Sequence, residues 1–276
     1  MKTFIKWAGN KSRCLKDITK HLPSEYNVYY EPFVGSGALF ISLAPHKWVI
    51  NDFNKDIHNI WYALLHSKKT FIKYFKFYKD YLSILNNKDL LVECKRLTTT
   101  LNYNSRFNIK RCALYLILKS LVFHGHLMTK NEYVFSSFDS NVLTQDNIYV
   151  FSEKFLNNLL EISNLLTVTS GAIYNKDYKD ILISCKTNDF VFLDPPYIED
   201  RNYKFNYNKD EVLDDQFIKG ILQECRKLDK RRVKWLMTQA DTPIVRKLFS
   251  KYDIQEMKVY RHPRRAYVIE LLIKNY

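Results

Sequence analysis

The stretch Asp194-Pro195-Pro196-Tyr197 directly follows the apolar run Phe190-Val191-Phe192-Leu193. Two successive prolines remove two amide donors and stiffen the chain. Their carbonyl oxygens stay free at the carboxyl end of a predicted buried strand, where α/β sheets bind ligands. Beside them stand one carboxylate and one aromatic face. Together they suit a planar base bearing an exocyclic amine, with two acceptors for its two N–H bonds and a ring to stack on. The plainer alternative is a rigid turn capped by an aspartate. The strand before it and a glycine turn upstream favour the chemical reading.

That upstream turn, Glu31-Pro32-Phe33-Val34-Gly35-Ser36-Gly37, holds two of the chain's six glycines. It lies between a predicted strand and a predicted helix, the geometry of a nucleotide-type cofactor site. Glycine lets the backbone turn tightly and approach a ligand closely. The spacing is not that of a dinucleotide fingerprint, and no phosphate-binding lysine follows as in a P-loop, so a cofactor without phosphates fits better. Asp52, at the end of the next strand, could accept hydrogen bonds from ribose hydroxyls.

These residues need a sheet to carry them. The segments NVYYE, KWVIND, TVTSGAIY, DFVFLD and RVKWLMTQ read as strands. IQEMKVYRHPRRAYVIELLIKN reads as two more, joined by a basic turn. GALFISLA and DIHNIWYALLH read as helices. TFIKYFKFYKDYLSIL, RCALYLILKSLVF and FSEKFLNNLLEISNLL have helical spacing of apolar residues. The expected fold class is therefore α/β, with a sheet that begins, pauses for a mainly helical insertion, and resumes. Residues 1–55 and 166–276 form the catalytic domain on this reading, and 56–165 the insertion. No repeat or low-complexity tract is present.

Across 276 residues, 43 Lys and Arg face 29 Asp and Glu, a formal charge of +14. That excess favours a polyanionic partner, nucleic acid first, although lysine-rich surfaces also serve solubility. KKTFIKYFKFYK and YRHPRR could carry backbone contacts, although the first reads rather as an amphipathic helix with a solvated face. The five cysteines are scattered, with no C-x-x-C pair, which argues against zinc and a disulfide framework. A soluble, cytoplasmic protein in a reducing compartment is expected, with no membrane partner and no metal.

These motifs, taken in order, resemble the Dam family of N6-adenine DNA methyltransferases (D12 class, α-group). The segment KWAGNK, Lys6 to Lys11, is similar to the family's opening, with Asn10 in place of a glycine. Glu31, Pro32, Phe33, Gly35 and Gly37 match its glycine turn, Asp52 and Asn54 its ribose site, and Asp194 to Tyr197 its catalytic loop. Asp177 and Tyr178 resemble its adenine-ring clamp, and Glu270 lies in a segment like its last strand. The resemblance implies a Rossmann-like class I methyltransferase sheet with an inserted target-recognition domain. It implies S-adenosyl-L-methionine as cofactor, held by Trp7, Ala8, Gly9, Lys11, Glu31, Pro32, Phe33, Gly35, Gly37, Asp52, Asn54, Asp177 and Tyr178. Asp194, Pro195, Pro196 and Tyr197 would be catalytic. Double-stranded DNA would be the partner, touched by Lys11, His124, His126, Lys130, Asn131, Tyr203, Arg264 and Arg265. A homodimer is left open.

The chain departs from the family in two places. FHGHLMTKNEYVFSSF lacks the usual recognition-loop arginine, so a GATC target does not follow. Met237-Thr238-Gln239 replaces the more usual serine–asparagine pair. An RNA substrate, or an inactive DNA-binding protein of methyltransferase fold, stays open at this stage.

Overall fold

The structure is a computed structural model. It describes residues 1–7, 9–103, 107–122, 127–129, 132–135, 138, 148–197, 215–261 and 266–276. The chain divides into two compact units. One comprises Met1–Asn10, Gly35–Ala44 and Asn54–Ile173; the other comprises Lys11–Val34, Pro45–Phe53 and Tyr174–Tyr276.

The second unit is built on strands β1 (Tyr29–Glu31), β2 (Lys47–Asn51), β6 (Phe190–Leu193), β7 (Lys234–Ala240), β8 (Asp253–Arg261) and β9 (Ala266–Lys274). With β5 (Ser170–Tyr174) they give a seven-stranded sheet in the order β5-β2-β1-β6-β7-β9-β8. β2, β1, β6 and β7 run parallel, while β9 is antiparallel to both β7 and β8. Parallel neighbours need long crossovers. Helix α9 (Asp215–Lys230) supplies the one from β6 to β7, burying Ile218, Ile221, Leu222, Cys225 and Leu228 at helical spacing.

β6 is central, flanked by β1 and β7, and all four of its residues are buried. A strand covered on both faces reads as a continuous apolar run rather than an alternation, which is why Phe190–Leu193 stood out. Around it pack Trp235, Phe249 and Tyr252, the Trp235 and Tyr252 rings 4.8 Å apart and edge-on. Trp235 and Phe249 are fully buried, and each such apolar side chain contributes about 1.5–3 kcal/mol.

The first unit is mainly helical: α2 (Ala38–Leu43), α3 (Lys55–His66), α4 (Lys68–Ser83), α5 (Asn87–Tyr103), α6 (Ile109–Leu121) and α7 (Glu153–Val168). A short hairpin of β3 (Met128–Thr129) and β4 (Glu132–Tyr133) follows α6. In α4 the buried Phe71, Phe75, Tyr78 and Leu82 form one stripe, and Phe75 stacks on Phe155 of α7 at 5.6 Å. The five cysteines are free and buried. Burial pushes the Cys94, Cys112 and Cys185 thiols up to about 12.

One element that the sequence reading did not name, and one that departs from it, share a reason. Helix α5 holds three successive threonines that depress helix propensity, yet its apolar stripe Leu90, Cys94, Leu97 and Leu101 is buried. Thr98, Thr99 and Thr100 donate to the carbonyls of Cys94, Arg96 and Leu97. Likewise α7 continues through Val168, into residues read as strand, with Thr167 donating to Ser163 O. Hydroxyls that bond back to the preceding turn let packing override propensity.

The end of β2 is held by a residue the motifs passed over. Asn51 is 1% exposed and donates to Pro32 O (2.9 Å) and Lys176 O (3.1 Å). It also accepts from Lys176 N at 2.9 Å. One amide thus ties the turn after β1 to the loop before Tyr178. Asn51→Ala leaves the buried Pro32 carbonyl and two part-buried Lys176 backbone groups without this partner and is expected to cost about 1–3 kcal/mol in urea denaturation.

Candidate active site

At the carboxyl end of β6 in the second unit, Asp194 lies level with Thr238 of β7, following the Leu193–Met237 register. Lys11, in a 3-10 turn spanning Lys11–Arg13, reaches Asp194 from the N-terminal segment. Its Nζ lies 2.7 Å from Oδ1 and 2.8 Å from Oδ2. Thr238 Oγ1 donates to Oδ1 at 2.6 Å. The Lys11 side chain is 6% exposed and that of Asp194 is 20% exposed. A carboxylate offers about four acceptor directions. Among the described residues, Lys11 and Thr238 engage three of them.

The electrostatics of Asp194 oppose each other. Burial raises its pKa; the Lys11 charge and the hydrogen bonds from Lys11 and Thr238 pull it back, and Glu270 adds a smaller upward push. Tyr197 donates its hydroxyl to Glu270 Oε2 at 2.8 Å, and Lys11 Nζ lies 4.7 Å from the Tyr197 ring centroid. Burial, then the Asp194 and Glu270 carboxylates, hold that hydroxyl protonated far above its ordinary range. Its ring is thus fixed at both edge and face. Pro195 is buried and Pro196 half-buried.

Nearby in the same unit, Glu31 ends β1, 3% exposed, and accepts from Tyr29 Oη at 2.7 Å. Pro32 offers its carbonyl to Asn51. Asp52 is half-buried, its N–H bonded to Tyr174 O at 3.3 Å. Phe33 packs on Tyr178 with ring centroids 5.2 Å apart. Tyr178 is mostly core, and Asp177 caps its helix, α8 (Tyr178–Ile183), by accepting from Lys179 N.

In the first unit, Gly35 (φ +46°) and Gly37 (φ +66°) take left-handed conformations. Trp61 Nε1 donates to Gly35 O at 3.1 Å, and a Cβ on Gly35 would lie 2.9 Å from Trp7 Cδ1. Gly35 is therefore clasped between two indoles. Lys119, 6% exposed, lies 4.7 Å over the Trp7 ring, its pKa lowered by burial to about 8. Gly9 is also left-handed (φ +77°), and Asn54 caps α3 by accepting from Asp56 N and Ile57 N. Asp56 accepts from Arg111 Nη1 at 2.6 Å and from the Tyr133 hydroxyl.

Of the expected site residues, the second unit gathers Lys11, Asp194 and Tyr197, and separately Phe33 with Tyr178. The first unit gathers Trp7 with Gly35. Ala8, His124, His126, Lys130, Asn131, Tyr203, Arg264 and Arg265 lie outside the described residues. The motifs did not single out Thr238 as a partner of Asp194, nor Asn51, Lys119 or the Asp56–Arg111–Tyr133 cluster. Among the described residues no cluster of three or more His, Cys, Asp or Glu side chains could hold a metal. No described helix is long and apolar enough to cross a membrane.

A parallel core with an antiparallel strand entering beside its last member, and an acid–proline–proline–tyrosine loop ending the central strand, define a Rossmann-like methyltransferase. Residues 7–262 match the D12 class of N6 adenine-specific DNA methyltransferases, and the chain belongs to that family. It is 24% identical over 289 residues to the type II methyltransferase M1.LlaDCHI of Lactococcus lactis subsp. cremoris, covering 100% of this chain and 96% of that one. It is 27% identical over 296 residues to the type II methyltransferase M.MjaIII of Methanocaldococcus jannaschii, covering 100% and 99%. It is 22% identical over 269 residues to the DNA adenine methylase of Haemophilus influenzae, covering 94% and 86%.

Two outcomes test this geometry. Lys11→Met removes the largest downward influence on the Asp194 pKa, so the acidic limb of the pH–rate profile should move to higher pH. Gly35→Ala places a Cβ against Trp7 in a left-handed conformation and should cost about 1–3 kcal/mol, with a change in tryptophan fluorescence.

Proposed function

We propose that the protein transfers a methyl group from S-adenosyl-L-methionine to N6 of an adenine turned out of double-stranded DNA. The observation that carries this is Asp194 at the end of β6, held by Lys11 and Thr238 beside a Tyr197 ring that Glu270 keeps in place. The charge of +14 and the DNA adenine methylases among its relatives support DNA as substrate.

The residues fit such a cofactor. Glu31 ends β1 and Asp52 follows β2 on the neighbouring strand, with carboxylates that can accept from amine and hydroxyl groups. Trp7, Ala8, Gly9, Lys11, Glu31, Pro32, Phe33, Gly35, Gly37, Asp52, Asn54, Asp177 and Tyr178 are the residues we assign to holding it. When bound it supplies an electrophilic methyl on sulfur.

The chain's own residues do the rest. Extruding the adenine costs a few kcal/mol, offset by stacking on Tyr197. The remaining acceptor direction of Asp194 takes one N6–H and the Pro195 carbonyl takes the other. Both bonds return electron density to nitrogen and aim its lone pair. Placement of the two reactants can itself supply about 7–11 kcal/mol. Residues 56–165 serve as the target-recognition domain, and Lys11, His124, His126, Lys130, Asn131, Tyr203, Arg264 and Arg265 are the residues we assign to DNA contact. The type II names of two relatives make a paired restriction enzyme the natural setting.

Asp194→Ala should leave S-adenosylmethionine binding by calorimetry nearly unchanged while methylation collapses. Modified-base sequencing of duplex DNA, beside an RNA of the same sequence, should report N6-methyladenine in one DNA context. Near-full activity in the variant, or a mark confined to RNA, overturns the assignment.

A further inference from the structure

Lys119 is a buried cation that the chemistry outlined above does not use. It lies on α6 in the first unit, 6% exposed. Taking an ammonium out of water is costly, and an apolar side chain of similar volume would fill the same space without that penalty. Packing alone thus does not call for a charge here. What the charge touches is an indole. Lys119 Nζ lies 4.7 Å from the Trp7 ring centroid, and 5.8 Å from that of Tyr115 on its own helix. Burial is the largest influence on the ammonium and lowers its pKa to about 8; Asp56 of α3 favours the charge, and Lys6 opposes it.

Trp7 is gripped at a second point. Its Cδ1 and Nε1 lie 2.9 and 3.0 Å from the place that a Cβ on Gly35 would take. Gly35 is itself held, since its carbonyl accepts from Trp61 Nε1 at 3.1 Å. The Trp61 ring in turn packs edge-on against Phe4 and Phe40. Trp7 is nonetheless only half-buried, so part of the indole stays accessible to a ligand. Gly35 limits how far the ring can shift, and Lys119 attracts its face. Such an attraction is strongest where water is excluded.

We propose that Lys119 is a positioning residue for the cofactor: its ammonium holds the Trp7 indole in the orientation that S-adenosyl-L-methionine meets. The proposal rests on the reading above, in which Trp7 helps to hold that cofactor. It gives α6, a helix of the inserted segment, a part in cofactor binding as well as in target recognition.

Lys119→Met keeps the length of the side chain and removes its charge. Asp56 retains Arg111 and Tyr133 as partners, so the variant should melt no lower than the parent. Of the four tryptophans, Trp48, Trp61 and Trp235 are at most 1% exposed, so acrylamide quenching of fluorescence reports mainly on Trp7. Without ligand at about pH 7, quenching should be greater in the variant than in the parent. The parent should approach the variant by about pH 9, because its ammonium is lost as pH rises. Calorimetry should show the variant binding S-adenosylmethionine roughly three- to tenfold more weakly at about pH 7. That gap should close by about pH 9. The cofactor's own amine titrates in the same range against both proteins, and the ratio of the two affinities cancels it. Equal quenching, equal affinity, or a gap that persists at the higher pH overturns the proposal alone. A parent that does not bind S-adenosylmethionine overturns the cofactor reading and the proposal with it.

Discussion

The ion pair between Lys11 and Asp194 is the interaction on which the second unit's site depends. A half-buried carboxylate at the end of a strand covered on both faces would cost several kcal/mol if left alone. A 6%-exposed ammonium within 2.8 Å of both oxygens, and a threonine hydroxyl at 2.6 Å, make its charge tolerable. Removing either charge would strand the other. The pair also gives the N-terminal segment a reason to lie at the end of β6. The same ammonium lies over the Tyr197 ring, so one cation orders both the Asp194 carboxylate and that ring.

The sheet makes that arrangement reachable. β1, β6 and β7 run parallel, so Glu31, Asp194 and Thr238 come from segments far apart in sequence yet lie towards one end of the sheet. β9 enters antiparallel beside β7 and delivers Glu270 opposite Ala240, close enough to receive the Tyr197 hydroxyl. In the first unit a comparable economy surrounds Gly35. One indole packs against its Cα, another bonds its carbonyl, and a buried lysine covers the first.

Much of this was legible. The Asp194–Tyr197 loop, the Gly35–Gly37 turn and the strands around them carry local signatures: consecutive prolines, glycines where φ is positive, unbroken apolar runs. The family followed from their order. What stayed hidden has no local signature. Asn51 looks like any polar residue at a strand end, but its three hydrogen bonds reach loops far away in sequence. Thr238 registered as a departure from the usual pair, yet its hydroxyl does the work of binding Asp194. The threonine-rich α5 was not picked out in the sequence, because its buried stripe and back-bonded hydroxyls count only once α6 lies against it.

The sequence by itself determined the family, the parallel strand pattern, the backbone freedom of the Gly35–Gly37 turn and the stiff Asp194–Tyr197 loop, because each is encoded within a few consecutive residues. Tertiary structure alone decided which charge meets Asp194, what anchors Tyr197, and how Lys119 and Arg111 come to be buried. Those outcomes depend on strand register and helix packing between distant segments, and pairing across such distances leaves no mark on the residues nearby.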